Sequence, residues 1–225
     1  ALPILLSATP VARRGAKALA PLRALSGFGM TEVWLGAALC ALDDDEVHRT
    51  ETSGFPGYGY ELRIVDPDTN ELRPAGIPGE LQVKGYSLMH GYYKKPEETA
   101  AAYTGDGWFR TGDTAHWCED GYIRFLGRHK DMLKVGGENV AAVEIEGYLA
   151  LHPAVKLAQV VGLPDEKYGE VPVAFIELVP GATATEAEMI EFCRDEIASF
   201  KIPRHVRFVQ DWPMGATKIL KSALR

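Results

Sequence analysis

Four groups of residues in this sequence combine types and spacings that suit the chemistry of phosphates. Thr31 and Glu32 are adjacent and follow Phe28-Gly29 closely, so a hydroxyl and a carboxylate arrive together behind a glycine. Such a pair could set its hydroxyl on a phosphate and its carboxylate on a divalent cation. It reads equally well as a helix N-cap with an acidic first turn. Asp113 closes Arg110-Thr-Gly-Asp113; a carboxylate after a tight glycine turn can accept both hydroxyls of a ribose, or can act as an Asx-type turn former. Gly127-Arg128-His129-Lys130-Asp131 is a glycine turn with four charged or titratable side chains, and Gly136-Gly137 follows it with bare backbone. A basic turn, an open loop and a helix start suit an anionic ligand, and a charged linker before a surface helix explains them as well. Lys218 lies in a loop of small residues that could carry it onto a phosphate or leave it solvated.

The elements that must hold these residues follow from periodicity. Pro3 to Ser7 reads as a strand, Ala8-Thr9-Pro10 as a turn into a short helix through Lys17, and Leu25 onward as a second apolar strand reaching Thr31-Glu32. From Gly54 to Gly91 the chain reads as all-β, with alternation over Tyr60–Val65 and Gly79–Gly85 about a turn at Pro67–Asn70. Pro96 opens a helix over Glu97–Tyr103, and Tyr122–Leu126 is a further strand. After Asn139 the pattern is helical, with Ala141, Ile145 and Leu149 on one face, until His152-Pro153 ends it. Strands follow at Val155–Val161, Val171–Val179 and Val206–Val209. Between the last two, Thr185 and Glu188 form a capping box ahead of a helix with Ile190, Cys193 and Ile197 on one face. That β–β–α–β run is a small α+β domain of its own, so the expected fold class is mixed α/β and α+β.

Composition narrows the function. At 225 residues the chain holds one large domain or two smaller ones, and its 46% hydrophobic and 24% charged residues are ordinary for a globular protein. A formal net charge of −7 without a basic stripe argues against a nucleic-acid partner. No stretch approaches the ~18 apolar residues of a membrane span, and the apolar start Ala1–Leu6 lacks the basic leader of a signal peptide. Cys40, Cys118 and Cys193 are odd in number and far apart, as expected of reduced thiols in a cytoplasmic protein rather than a disulfide frame or zinc site. Asp43-Asp44-Asp45-Glu46 lacks the spacing of a calcium loop and reads as a solvated turn.

Taken in order, Phe28-Gly-Met-Thr-Glu32, Arg110-Thr-Gly-Asp113, Gly127-Arg128, Gly136-Gly137 with Glu144-Ile-Glu146, and Thr217-Lys218 resemble the motifs of the adenylate-forming (ANL) superfamily. Its members include acyl- and aryl-CoA synthetases, nonribosomal adenylation domains and firefly luciferase. The resemblance implies residues 1–129 as the C-terminal part of a large AMP-binding domain and residues 130–225 as a small lid domain. It implies a carboxylic acid, ATP, Mg2+ and CoA as substrates and cofactors. Phe28, with Gly29, would pack on adenine, where the family more often has Tyr. Thr31 would contact phosphate and Glu32 would help bind Mg2+, while Asp113 and Arg128 would hold the ribose hydroxyls. Lys130 would be the hinge of the lid, Gly136 and Gly137 would line the pantetheine tunnel, and Lys218 would bridge the acyl carboxylate and the α-phosphate.

Two departures from the family pattern stand out. Ala216-Thr217 precede Lys218 where the family has glycine, with one residue fewer after Pro213, so Lys221 competes with Lys218 for the role. The Ser/Thr/Gly-rich phosphate loop has no counterpart, as expected of the C-terminal portion of a longer enzyme. The function implied is an acyl- or aryl-CoA ligase. The alternatives are an adenylation domain loading a carrier protein and an inactive nucleotide-binding fragment. The acid is not specified; Trp34, just past Glu32, could flatten an acyl pocket or pack in the core. Homo-oligomerisation is left open.

Overall fold

The structure, a computed structural model, describes residues 25–34, 36–215 and 218–225. The strand expected at Pro3–Ser7, the turn and helix through Lys17, and Ala216-Thr217 lie outside the described residues. The chain divides between His129 and Lys130 into two compact units.

In the first unit, three two-residue strands form an antiparallel sheet: β1 (Gly27–Phe28), β2 (Ala38–Leu39) and β3 (Phe55–Pro56). The apolar strand expected from Leu25 is thus cut short, because a 3-10 turn takes over at Thr31–Val33. A four-stranded antiparallel meander follows, made of β4 (Tyr60–Val65), β5 (Gly79–Gly85), β6 (Phe109–Trp117) and β7 (Ile123–Arg128). Helix α1 (Glu46–Glu51) is capped by Asp45, and α2 (Pro96–Ala101) starts on Pro96 as expected, though it stops short of Tyr103. Ile64, Leu81, Phe109, Ile123 and Phe125 pack with Phe28 and Val33 into one core. β5 departs from the alternating reading, since Gly79 to Val83 are all buried. Buried Glu80 and Gln82 are tolerated because they are bonded: Arg110 reaches Glu80 at 2.8 Å, and Gln82 bonds Glu80, Asn70 and Arg63.

The second unit is a five-stranded sheet. β8 (Met132–Val135) and β9 (Glu138–Ala141) form a hairpin, and helix α3 (Ala142–Leu149) leads into the long pair β10 (Val155–Asp165) and β11 (Gly169–Leu178). Helix α4 (Glu186–Cys193) then returns the chain to β12 (His205–Phe208), which lies parallel to β11. The helix expected directly after Asn139 is corrected here: Lys134 pairs with Asn139 and Val135 with Glu138, so the strand runs to Ala141 before the helix begins. Gly136 and Gly137 have φ of 60° and 92°, the geometry of a two-residue type I′ hairpin turn that matches the twist of the strands. Ile145, Leu149, Val160, Ile176, Met189, Cys193 and Val206 form the core beneath both helices.

The capping box on α4 is present in full: Thr185 Oγ1 accepts the Glu188 N–H at 3.2 Å, and the Glu188 carboxylate accepts the Thr185 N–H at 2.7 Å. Those backbone and hydroxyl donors hold the Glu188 carboxyl below its ordinary value of 4.5. A depressed folded value stabilises the cap above that pH and is lost as pH falls below it. Thr185→Ala should therefore cost about 1 kcal/mol at neutral pH, read from the denaturant midpoint, with the gap to wild type narrowing below pH 4.5.

Candidate nucleotide-binding site

Asp113 is where the meander departs most from regular pairing. Glu80 pairs with Thr114 and Gln82 with Arg110, so the single intervening residue of β5 faces three of β6 and the chain bows out between them. On the other side Thr114 pairs with Gly127 and Ala115 with Phe125, leaving Leu126 as an extra residue in β7. Paired irregularities of this kind re-aim side chains at a chosen point. Gly112, at φ 68°, allows the bow without strain. Thr111 fastens it, donating its hydroxyl to the Leu81 carbonyl at 2.6 Å and accepting the Asp113 N–H at 3.1 Å. Asp113 is therefore a strand residue rather than the turn residue its glycine suggested.

The result is a cross-strand pair. Asp113, only 1% exposed, faces Arg128 in register, with Arg128 Nε 3.0 Å from Asp113 Oδ1. Arg128 also donates Nη1 to the Thr111 carbonyl at 3.2 Å, which fixes the guanidinium against the bow. Arg128 keeps one edge toward solvent, its side chain being 30% exposed. A nearly desolvated carboxylate held by a partly open arginine presents fixed charge to whatever enters from that side.

A second cluster forms around Glu32. Its Oε1 accepts the Tyr92 hydroxyl at 3.2 Å, while Oε2 is buried with no hydrogen-bond partner among the described residues. The Glu32 carbonyl accepts the Met89 N–H, tying this turn to the segment that carries Tyr92. Burial first, and then the charge of Glu32, push the Tyr92 phenol up, with Arg128 acting in the opposite sense. Tyr92 therefore senses both charged groups. Thr31 is exposed beside Glu32, and Gly29 is buried behind it. The N-cap reading fails here, since Met30 precedes the 3-10 turn and no side chain caps it. Phe28 differs from the open platform expected for an adenine: its ring is 1% exposed and tilts against Phe125 at 6.2 Å, as a core side chain. Trp34 is not core packing, being 81% exposed at a positive φ of 69°.

In the second unit, Lys130 is exposed at the first position after the boundary, and its carbonyl accepts Arg225 at 3.3 Å. The hairpin glycines Gly136 and Gly137 are exposed; a side chain at Gly137 would meet nothing within 4 Å, so their φ angles, and not crowding, require glycine. Lys218 is half-buried, its carbonyl accepting the Gly215 N–H at 2.7 Å. Lys221 forms a 2.5 Å ion pair with Glu146. Tyr92 and Glu146 were not foreseen as site residues, because their partners lie 60 and 75 residues away along the chain.

Cys40, Cys118 and Cys193 are free thiols, and burial pushes Cys193 up to about 11. Among the described residues no helix is long and apolar enough to cross a membrane, and no cluster of three metal-ligating side chains occurs.

Bowed strands that carry a buried carboxylate paired with an arginine are followed along the chain by a separate small α+β unit with a lysine loop. Residues 7–93 match the AMP-binding enzyme family, and residues 144–218 match the AMP-binding enzyme C-terminal domain. The chain belongs to the adenylate-forming superfamily. It is 44% identical over 166 residues to the mitochondrial medium-chain acyl-CoA ligase ACSF2 of Rattus norvegicus, covering 73% of this chain and 27% of that protein. ATP-bound MatB from Rhodopseudomonas palustris superposes with a TM-score of 0.84 at 33% identity, over 96% of this chain and 43% of that one. The anthranilate CoA ligase AuaEII, solved with anthranoyl-AMP, gives 0.86 at 33% identity, over 96% and 42%. The chain thus spans about a third of the length of the curated relatives it matches, 27% in the rat enzyme and 33% in that of Danio rerio. Its fold is that of the C-terminal part of the large adenylating domain followed by the small domain.

Removing Arg128 should leave the buried Asp113 carboxylate less well compensated. Arg128→Met is expected to cost about 3 kcal/mol, measured by chemical denaturation, and Asp113→Asn less. A loss below about 1 kcal/mol for Arg128→Met would mean that the pair is screened like a surface salt bridge.

Proposed function

We propose that this chain supplies the ribose-holding and lid portions of an ATP-dependent acyl- or aryl-CoA ligase. The observation that carries this reading is the Asp113–Arg128 pair, with Arg128 Nε 3.0 Å from a carboxylate that is 1% exposed. Two irregular strand pairings and a left-handed glycine are spent on presenting it, which a purely structural ion pair does not need. The names of relatives point the same way: one is a medium-chain acyl-CoA ligase, and another holds anthranoyl-AMP.

The reaction has two steps. The carboxylate of the acid attacks the α-phosphorus of ATP, the bond to the bridging oxygen breaks, and pyrophosphate leaves behind an acyl-adenylate. The CoA thiol then attacks the acyl carbon, loses its proton, and expels AMP. Negative charge accumulates in the first step, so it calls for a cation at the α-phosphate and a nucleotide that cannot drift. Asp113 and Arg128 hold the ribose, and Thr31 offers its exposed hydroxyl to a phosphate oxygen. Lys218 supplies positive charge between the acyl carboxylate and the α-phosphate. Glu32 Oε2, buried without a hydrogen-bond partner among the described residues, is suited to Mg2+, which when bound would neutralise charge on the leaving pyrophosphate.

The second step needs Lys218 out of the way and a passage for a long thiol arm. Lys130, at the boundary of the two units, serves as the hinge, and the Gly136-Gly137 turn lines the passage after rotation. The free thiols of Cys40, Cys118 and Cys193 support a reducing, cytoplasmic setting.

Lys218→Ala in the full encoded polypeptide should lower acid-dependent adenylation by about 10²- to 10³-fold, with a much smaller effect on thioester formation from supplied acyl-AMP. Equal losses in the two half-reactions, measured by pyrophosphate exchange and by thioester yield, would overturn the assignment of Lys218.

A further inference from the structure

Lys221 Nζ lies 2.5 Å from Glu146 Oε1, and the two side chains are only 17% and 13% exposed. The same oxygen accepts the Val160 N–H at 2.7 Å. Glu146 stands on α3, whose Ile145 and Leu149 are fully buried, and Val160 lies in β10. One carboxylate oxygen therefore joins the C-terminal segment to both a core helix and a core strand. Within that segment the Leu220 N–H donates to the Pro213 carbonyl and the Gly215 N–H to the Lys218 carbonyl, both at 2.7 Å, while Met214 bridges Ile219. Residues 213–215 and 218–220 are thus paired with each other, and Lys218 sits in the second of these arms. Trp212 fastens the entrance of the turn, donating Nε1 to Glu177 at 2.8 Å.

We propose that Glu146 and Lys221 are a positioning pair that seats the Lys218 loop on the small unit; this rests on the reading of Lys218 as the adenylation lysine. Three residues span at most about 10 Å, so a shift at Lys221 is transmitted to Lys218 along the paired second arm. A charge-assisted bond with little exposure resists both salt and water, unlike a surface pair. The pair touches neither nucleotide nor acid. It acts by fixing where the Lys218 ammonium can be delivered.

The test uses the full encoded polypeptide with Glu146→Gln, which can still accept the Val160 N–H, and with Lys221→Met, which keeps the aliphatic stem. Lys221→Arg is the conservative variant and Lys218→Ala the reference. Glu146→Gln and Lys221→Met should lower adenylation kcat by about 10²-fold with the KM for ATP unchanged. Thioester formation from supplied acyl-AMP should be retained, and Lys221→Arg should restore most of the adenylation rate. Trypsin should cut after Lys218 faster in both variants, while thermal unfolding stays cooperative. Unchanged adenylation in Glu146→Gln and Lys221→Met, alongside its loss in Lys218→Ala, would overturn the positioning role alone. Equal loss of both half-reactions would also overturn it, marking a general packing defect. Full adenylation in Lys218→Ala would overturn the underlying reading of Lys218, and the positioning role with it.

Discussion

The organisation of the first unit depends on keeping one carboxylate charged in a place that excludes water. Asp113 is 1% exposed, and burying a carboxylate there is costly unless a partner is held beside it. Arg128 is that partner, but only because β7 carries one residue too many at Leu126 and so brings Arg128 into register with Asp113. β6 makes the matching concession between Arg110 and Thr114. Glycine at 112 is required by its φ of 68°, and Thr111 repairs the backbone bonds that the bow gives up. A short run of sequence is thus accounted for by one electrostatic requirement.

The second unit obeys a different constraint. Its core is apolar and built by the long β10–β11 pair with two helices laid on it. Charge enters at the edges, where Glu146, Glu177 and Asp131 receive donors from the C-terminal segment. The hairpin glycines are fixed by turn geometry whatever passes beside them, which frees that surface of side chains at no cost in stability. Both units rely on local backbone devices at these positions, a bow at Gly112 and a hairpin turn at Gly136-Gly137.

Much of this was legible from residue order. The strands Tyr60–Val65 and Gly79–Gly85 have the bounds that alternation gave them, and Thr185 with Glu188 announced its helix by chemistry alone. What periodicity could not reach was long-range pairing. The β8–β9 hairpin was read as a loop and a helix start because Ala141, Ile145 and Leu149 do share a helical spacing; Ala141 is the N-cap, and strand pairing claims the residues before it. Glu80 and Gln82 looked solvent-facing because nothing local shows that Arg110 and Arg63 will meet them. The Lys221–Glu146 pair was equally hidden, because its two members lie 75 residues apart in the chain. Phe28 is the reverse case: the motif marks the position, and packing shows that the ring is inside.

The account stands or falls on whether the full encoded polypeptide couples a carboxylic acid to ATP. The direct measurement is AMP release across a panel of aliphatic and aromatic acids, with and without CoA. The account predicts AMP that depends on one class of acid and rises strongly when CoA is added. Absence of AMP and of pyrophosphate exchange with every acid, in protein that is folded and carries Asp113 and Arg128 intact, would contradict it.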